Sequence, residues 1–267
     1  MKKITLLVVT GIVIWLTALI PNIGVYISDS NANPIGVIDV PVGELVMLTG
    51  YLLVVKYGFK IKFNYQIRRL SAAVKPIFWR HYMILGLVGV SLNAIFSKSL
   101  TNLFQVIPTG QLGLAIFASF LGAAVVGLFE ETMTRGGLFI ALVGLFKATK
   151  RPILNAALLS SLLFGLLHLT NVSVQSVPDT IAQVIYATAF GFAMSMLYVK
   201  TGSLLLPVVV HAIVDWGDFF FNVSGEPTLT IRTGMGPLNI FILSTIIGYQ
   251  GYKSLNEVER KRMMDKI

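Results

Sequence analysis

The chain alternates between long apolar runs and short polar stretches. A helix that crosses a bilayer needs about 20 mainly apolar residues, and several runs approach that length. They predict eight spans, at about residues 4–20, 41–57, 82–96, 112–131, 153–169, 181–199, 204–221 and 238–252. The predicted fold class is therefore all-α, a polytopic membrane helical bundle of about eight transmembrane helices, with residues 1–267 as a single integral membrane domain.

The longest apolar stretch covers residues 112–146, which is 35 residues. As one helix it would be about 52 Å long, against a hydrocarbon core of roughly 30 Å. Gly136 and Gly137 are a plausible break. The expectation is a full span that ends near residue 131, followed by a shorter helix along the interface or partly re-entrant.

Charged residues lie at the centre of this stretch: Glu130, Glu131 and Arg135. A charge near the middle of a bilayer costs a few kcal/mol or more, so such residues are candidates for a functional site. Glu131 and Arg135 are four residues apart and can pair on one helix face. Glu130 is about 100° round the helix, so we expect its carboxylate to be free for other partners.

Composition and charge support the membrane assignment. The chain is 55% hydrophobic and 12% charged, against about 25% charged in soluble domains. The net charge of +9 does not indicate nucleic acid, because the basic residues fall between the apolar runs. With the N-terminus inside, 18 of the 21 Lys and Arg residues are cytoplasmic. We predict a multi-pass cell-membrane protein with both termini cytoplasmic and lipid as a partner.

The chain lacks the residues or motifs that several classes of chemistry require. The chain has no Cys, which excludes disulfides, thiolate metal sites and a Cys nucleophile. It contains no HExxH, GxSxG, Walker A or dinucleotide-binding motif. Soluble-type zinc proteases and serine hydrolases are therefore not indicated.

Polar residues on two further spans could meet Glu130. His168 is near the end of the fifth span, one turn after Phe164, and His211 precedes Asp215 by one turn on the seventh. Lipid offers no hydrogen-bond partners, so we expect a shared hydrated cavity. Such a set can activate a water and stabilise an oxyanion. Glu130, His168 and His211 also fit a zinc site with an open water position. Both chemistries point to hydrolysis of an acyl bond.

These residues carry three motifs: Glu130-Glu131-x-x-x-Arg135, Phe164-x-x-x-His168 and His211-x-x-x-Asp215. In that order and on separate spans, they resemble the EExxxR, FxxxH and HxxxN (or Asp) motifs of the CPBP family of intramembrane proteases. That family groups CAAX prenyl endopeptidases with bacteriocin-processing and immunity relatives. The resemblance covers residues 112–221, which we take as the core that carries the site.

The resemblance implies that Glu130, Glu131, His168, His211 and Asp215 form the catalytic site, supported by Arg135 and Phe164. Glu130 and His168 would activate water, and His211 and Asp215 would stabilise the oxyanion or help to bind zinc. Asp215 replaces the commoner Asn, so it must be protonated, orient His211 or bind metal. Thr134 stands where an aromatic residue is frequent. A metalloprotease and a metal-free glutamate protease both remain open.

The leading interpretation is an intramembrane endopeptidase acting on a membrane-associated or lipidated peptide or protein. A non-enzymatic membrane scaffold or bacteriocin-immunity protein of the same family is the alternative. A proton- or ion-coupled transporter could use the same carboxylates, but no inverted repeat or paired broken helices are evident in the sequence.

Overall fold

The computed structural model describes residues 5, 9–13, 42–59, 63–65, 112–173, 175–223 and 235–266. The regular structure in these ranges is entirely helical, which confirms the all-α prediction for the described part of the chain. The third predicted span and most of the first lie outside the described residues.

Six of the predicted spans coincide with helices. The elements are α1 (Val42–Leu53) with the π-helix π1 (Val54–Phe59); α2 (Leu112–Glu131), π2 (Thr132–Phe139) and α3 (Ile140–Leu145); α4 (Pro152–Leu167) with a 3₁₀ segment (His168–Ser173); α5 (Val177–Thr201); α6 (Leu205–Val223); α7 (Met235–Lys253); and α8 (Glu257–Met264).

Within the described ranges, two helical stretches are both long and apolar enough to cross a membrane, namely Pro152–Ser173 and Val177–Thr201. Leu45–Tyr57 and Leu205–Trp216 are shorter apolar helices. The helices thus support a membrane protein, while the count of eight spans and the orientation of the termini stay predictions.

The predicted break at Gly136 and Gly137 is wrong. The helix runs on from α2 through π2 into α3, so the change of geometry near Glu131 widens the helix without interrupting it. The glycines allow close packing instead. A Cβ on Gly137 would collide with the Tyr51 hydroxyl, and one on Gly136 would be 2.7 Å from the Phe63 ring.

Helices α2 and α6 pack antiparallel and bring two of the three motifs together. Phe120 near the start of α2 contacts Trp216 edge to face, with ring centroids 5.8 Å apart. Further along α2, Gly127 faces the α6 backbone, where an added Cβ would be 3.0 Å from the Ala212 nitrogen. This close approach places Glu131 beside His211.

Helix α8 lies in a tail for which no helix was predicted. Its start is fixed by a capping box, in which the Asn256 side chain accepts from the Glu259 N–H and Glu259 accepts from the Asn256 N–H. Arg262 donates to the carbonyls of Val199 and Lys200 at 2.9 and 2.8 Å. The tail therefore packs on the turn between α5 and α6.

Candidate active site

A buried ion pair and an imidazole form the interior of the site. Arg135 Nη1 donates to Glu131 Oε1 at 2.7 Å, as the four-residue spacing predicts. His211 Nδ1, from α6, donates to the same oxygen at 2.7 Å. The three side chains are at most 5% exposed. Glu131 thus neutralises Arg135 and fixes the position of the imidazole ring.

Thr134 links the ion pair to the helix backbone. Its hydroxyl donates to the Glu130 carbonyl at 2.5 Å and accepts from Arg135 Nη1 at 2.6 Å. A threonine hydroxyl that bonds four residues back competes with the regular backbone hydrogen bond. Such competition favours the wider π-helix that begins at Thr132, and π-helical turns often occur at functional sites.

Glu130 and Asp215 face the other nitrogen of His211. Glu130 Oε2 lies 3.4 Å from His211 Nε2, and Asp215 Oδ2 lies 3.3 Å from it. The Glu130 and Asp215 side chains are 28% and 26% exposed, while the Glu131 side chain is fully buried. The two adjacent glutamates therefore have different environments, as their angular separation predicts.

The Phe164 ring contacts three other site residues. The Arg135 guanidinium carbon lies 4.6 Å from its centroid, in cation–π geometry. The His168 and His211 rings meet it edge to face, with centroids 5.1 and 5.9 Å away. Phe164 is itself buried. Both histidine rings therefore pack against the same aromatic side chain.

His168 begins the 3₁₀ segment that follows α4. Its Nδ1 donates to the Phe164 carbonyl at 3.0 Å, and its ring is half-buried. A neutral imidazole that donates through Nδ1 keeps Nε2 as an acceptor. Among the described residues, His168 reaches the other site residues through Phe164 and not by a direct hydrogen bond or ion pair.

All three predicted motifs thus occupy one region of the described structure. A family model described as type II CAAX prenyl endopeptidase Rce1-like matches residues 111–217, which include every motif residue. This segment is therefore similar to the Rce1-like family. The match confirms the resemblance to the CPBP intramembrane proteases. No curated protein and no solved structure matches the chain.

The similarity to the Rce1-like family supports a membrane-embedded protease. The match covers residues 111–217, which is nearly all of the predicted core at residues 112–221. It does not reach the first three predicted spans, α7 or α8. The assignment of those segments depends on their own sequence and structure alone.

Two further residues lie at this site that the sequence motifs do not include. Phe190 of α5 contacts His211 edge to face, with centroids 5.1 Å apart. Gly191 faces Arg135, where a Cβ would lie 3.1 Å from Nη2. Both stand in an apolar run with no polar neighbour. A lone aromatic residue and a glycine give no signal against that background.

The side chains at this site do not form a metal centre within the described residues. Among the described residues, no group of three or more His, Asp or Glu side chains is arranged to hold a metal ion. Glu130 Oε2 lies 3.4 Å from His211 Nε2, whereas the contacts of His168 are with Phe164. The zinc site of Glu130, His168 and His211 does not fit this arrangement of side chains, and it stays a prediction.

Proposed function

We propose that the protein is an intramembrane endopeptidase that hydrolyses a peptide bond with a water activated by Glu130 and His168. The observation that carries the proposal is the convergence of Glu130 and Asp215 on His211 Nε2, at 3.4 and 3.3 Å. The substrate class is a membrane-associated peptide, with a lipidated protein as the class that the family description suggests.

Glu130 is the candidate general base because it is the accessible glutamate of the pair. Its side chain is 28% exposed, whereas Glu131 is fully buried and accepts from both Arg135 and His211. A general base must reach the proton that it removes from the attacking water. Glu131 instead acts as a positioning residue for His211.

His168 is the candidate partner of Glu130 in holding that water. The hydrogen bond from Nδ1 to the Phe164 carbonyl leaves Nε2 with its lone pair. A neutral imidazole in this form accepts a hydrogen bond from water. Closure of the gap between His168 and Glu130 would follow substrate binding, because catalytic hydrogen bonds often tighten only in the bound complex.

His211 and Asp215 are the candidate oxyanion-stabilising pair. His211 donates its Nδ1–H to Glu131. Nε2 must then also carry a proton if it is to attract the carboxylates of Glu130 and Asp215. With that proton, Nε2 can donate to a developing oxyanion. Asp215 Oδ2 lies 3.3 Å from His211 Nε2. Of the three roles considered for Asp215, namely a protonated side chain, orientation of His211 and metal binding, this position supports the orientation of His211.

The test is cleavage by the purified protein in detergent. The probes are a fluorogenic peptide with a farnesylated C-terminal CAAX sequence and the same peptide without the lipid. Glu130→Gln should lower the turnover at least about 100-fold, the usual contribution of acid–base catalysis. Glu257→Gln is the matched control, since Glu257 is exposed on α8. It should keep wild-type activity.

Each assay is repeated with a chelator. Loss of activity in Glu130→Gln alone supports a metal-free Glu/His mechanism, and loss with the chelator as well supports the predicted zinc site. Equal turnover by the wild type and Glu130→Gln would contradict the assignment of Glu130. Absence of cleavage in both, with intact folding, would favour the scaffold or immunity alternative.

A further inference from the structure

Three consecutive residues upstream of the site contact both of the helices that present Glu131 and His211. They are Phe63, Asn64 and Tyr65, called segment 63–65 below, and all three are half-buried. They lie between the second and third predicted spans, outside the residues 111–217 that the family model matches. None of the three motifs includes them, so their contacts alone indicate what they do.

Tyr65 holds the start of π2. Its hydroxyl oxygen lies 2.6 Å from the Thr132 hydroxyl oxygen. Thr132 is fully buried and directly follows Glu131. A threonine hydroxyl inside a helix can otherwise bond a carbonyl of its own preceding turn. Tyr65 therefore fixes the helix from outside, at the residue where its geometry changes from α-helical to π-helical.

Asn64 holds the turn that leads into α6. Its side-chain amide donates to the Gly202 carbonyl at 3.0 Å, and its own carbonyl accepts from the Leu204 N–H at 2.7 Å. Gly202 ends α5 with a φ of 69°, in the left-handed region that favours glycine. Leu204 directly precedes α6 and is fully buried, so its N–H needs a partner outside the helix. Asn64 thus fixes the start of α6, two turns before His211.

Phe63 fills the space between π2 and that turn. A Cβ added to Gly136 of π2 would lie 2.7 Å from the Phe63 ring and 3.2 Å from Leu204 Cδ1. The ring also packs against two core clusters, one that contains Leu204 and one that contains Met133. Segment 63–65 is therefore held against both elements at once.

These contacts fall on the two elements that carry the interior hydrogen bond of the site. That bond joins His211 Nδ1 to Glu131 Oε1 at 2.7 Å. Tyr65 binds one residue after Glu131, and Asn64 binds the backbone seven residues before His211. A misplacement of about 1 Å at a catalytic site can lower the rate about 100-fold. The relative position of π2 and α6 is therefore a quantity that segment 63–65 can control.

We propose that Tyr65 and Asn64 are positioning residues of the candidate active site, which hold Glu131 and His211 in place through Thr132 and the turn at residues 202–204. The inference rests on the proposed peptidase function, and it adds to the site two residues outside the family match. Neither residue is assigned a contact with substrate. Their loss should therefore lower kcat and leave KM close to the wild-type value.

Tyr65→Phe tests this role, because it removes only the hydroxyl. In the peptide cleavage assay kcat should fall roughly 10-fold, which is part of the loss that a 1 Å misplacement can cause. Tyr198→Phe is the matched control: it removes a buried hydroxyl that accepts from Lys266 in the tail at 2.7 Å. It should keep the wild-type kcat even if its unfolding midpoint falls as much. An unchanged kcat in Tyr65→Phe, or an equal loss in Tyr198→Phe, would overturn the proposal.

A double-mutant cycle tests the route through Thr132. Tyr65→Phe and Thr132→Val each remove the same hydrogen bond, so the double variant should lose no more kcat than either single variant. Thr132→Ser keeps the hydroxyl and should retain most of the wild-type kcat. Losses that multiply in the double variant would show that Tyr65 does not act through Thr132, which overturns the proposal.

The wild-type rate separates this inference from the function on which it rests. Cleavage by the wild type with an unaffected Tyr65→Phe contradicts the positioning role alone. No cleavage by a folded wild type contradicts the peptidase function, and the positioning role falls with it because it concerns the rate of that reaction.

Discussion

At the scale of single residues, the clearest distinction is between two neighbouring glutamates. Glu131 is fully buried against Arg135 and His211, while Glu130 is partly exposed beside His211 Nε2. The sequence predicts this difference, because four-residue spacing pairs Glu131 with Arg135 and leaves Glu130 on another face. It did not predict the role of Thr134, whose hydrogen bonds depend on the π-helical geometry.

Glu131→Gln should destabilise the protein more than Glu130→Gln. Glu131 is the partner of a buried guanidinium, and removing one partner of a buried pair costs about 3–5 kcal/mol. Glu130 is partly exposed and has no such role. Thermal unfolding in detergent gives the comparison, and an equal shift in midpoint for both variants would contradict the division of roles.

Thr134→Val should lower stability by about 1.5–3 kcal/mol, the range for a hydrogen bond to a charged group. The isosteric change removes the hydroxyl that bonds Arg135 and the Glu130 carbonyl. Thr134→Ser keeps that hydroxyl and is the control. Unfolding midpoints near that of the wild type for both variants would show that the hydrogen bonds of the Thr134 hydroxyl do not contribute to stability.

At the scale of elements, helix positions could be predicted and helix geometry could not. Apolar runs predicted the helices around residues 153–169 and 181–199, which became α4 and α5. The Gly136-Gly137 pair suggested a break because glycine has weak helix propensity. The helix is not broken there. The two glycines instead make room for Tyr51 and Phe63, which are distant in sequence. Helix α8 had a local signal, Asn256 followed by Glu259, that matches a capping box.

Gly127→Ala should separate α2 from α6 and reduce both stability and activity. The added Cβ would lie 3.0 Å from the Ala212 nitrogen and 3.1 Å from the Val208 carbonyl, and backbone cannot move aside as a side chain can. Overpacking of this kind costs about 1–3 kcal/mol. Unfolding midpoints and the peptide cleavage rate measure the two effects.

Gly113→Ala is the matched control on the same helix, because nothing lies within 4 Å of its added Cβ. It should leave the unfolding midpoint and the cleavage rate unchanged or slightly raise the midpoint. Equal effects of the two substitutions would show that helix propensity, and not the approach of α6, explains the Gly127 result.

At the scale of the whole molecule, the tail supports the turn that leads into the site. Lys200 Nζ lies 3.1 Å from a Glu259 carboxylate oxygen, with side-chain exposures of 7% and 3%. The same amine donates to the Ser254 carbonyl at 2.9 Å. Sequence could not predict this pair, because the two residues are 59 positions apart and the tail showed only mixed charge. The pair holds α8 against the end of α5.

Lys200→Met should destabilise the protein by about 3–5 kcal/mol, because it leaves the Glu259 carboxylate buried without its cation. The double variant Lys200→Met/Glu259→Leu removes both charges and should recover part of that loss, since a buried pair often contributes little beyond an apolar one. Unfolding midpoints of the two single variants and the double variant form the cycle. Additive losses would show that the pair is not coupled, and α8 would then be held by Arg262 and apolar contacts alone.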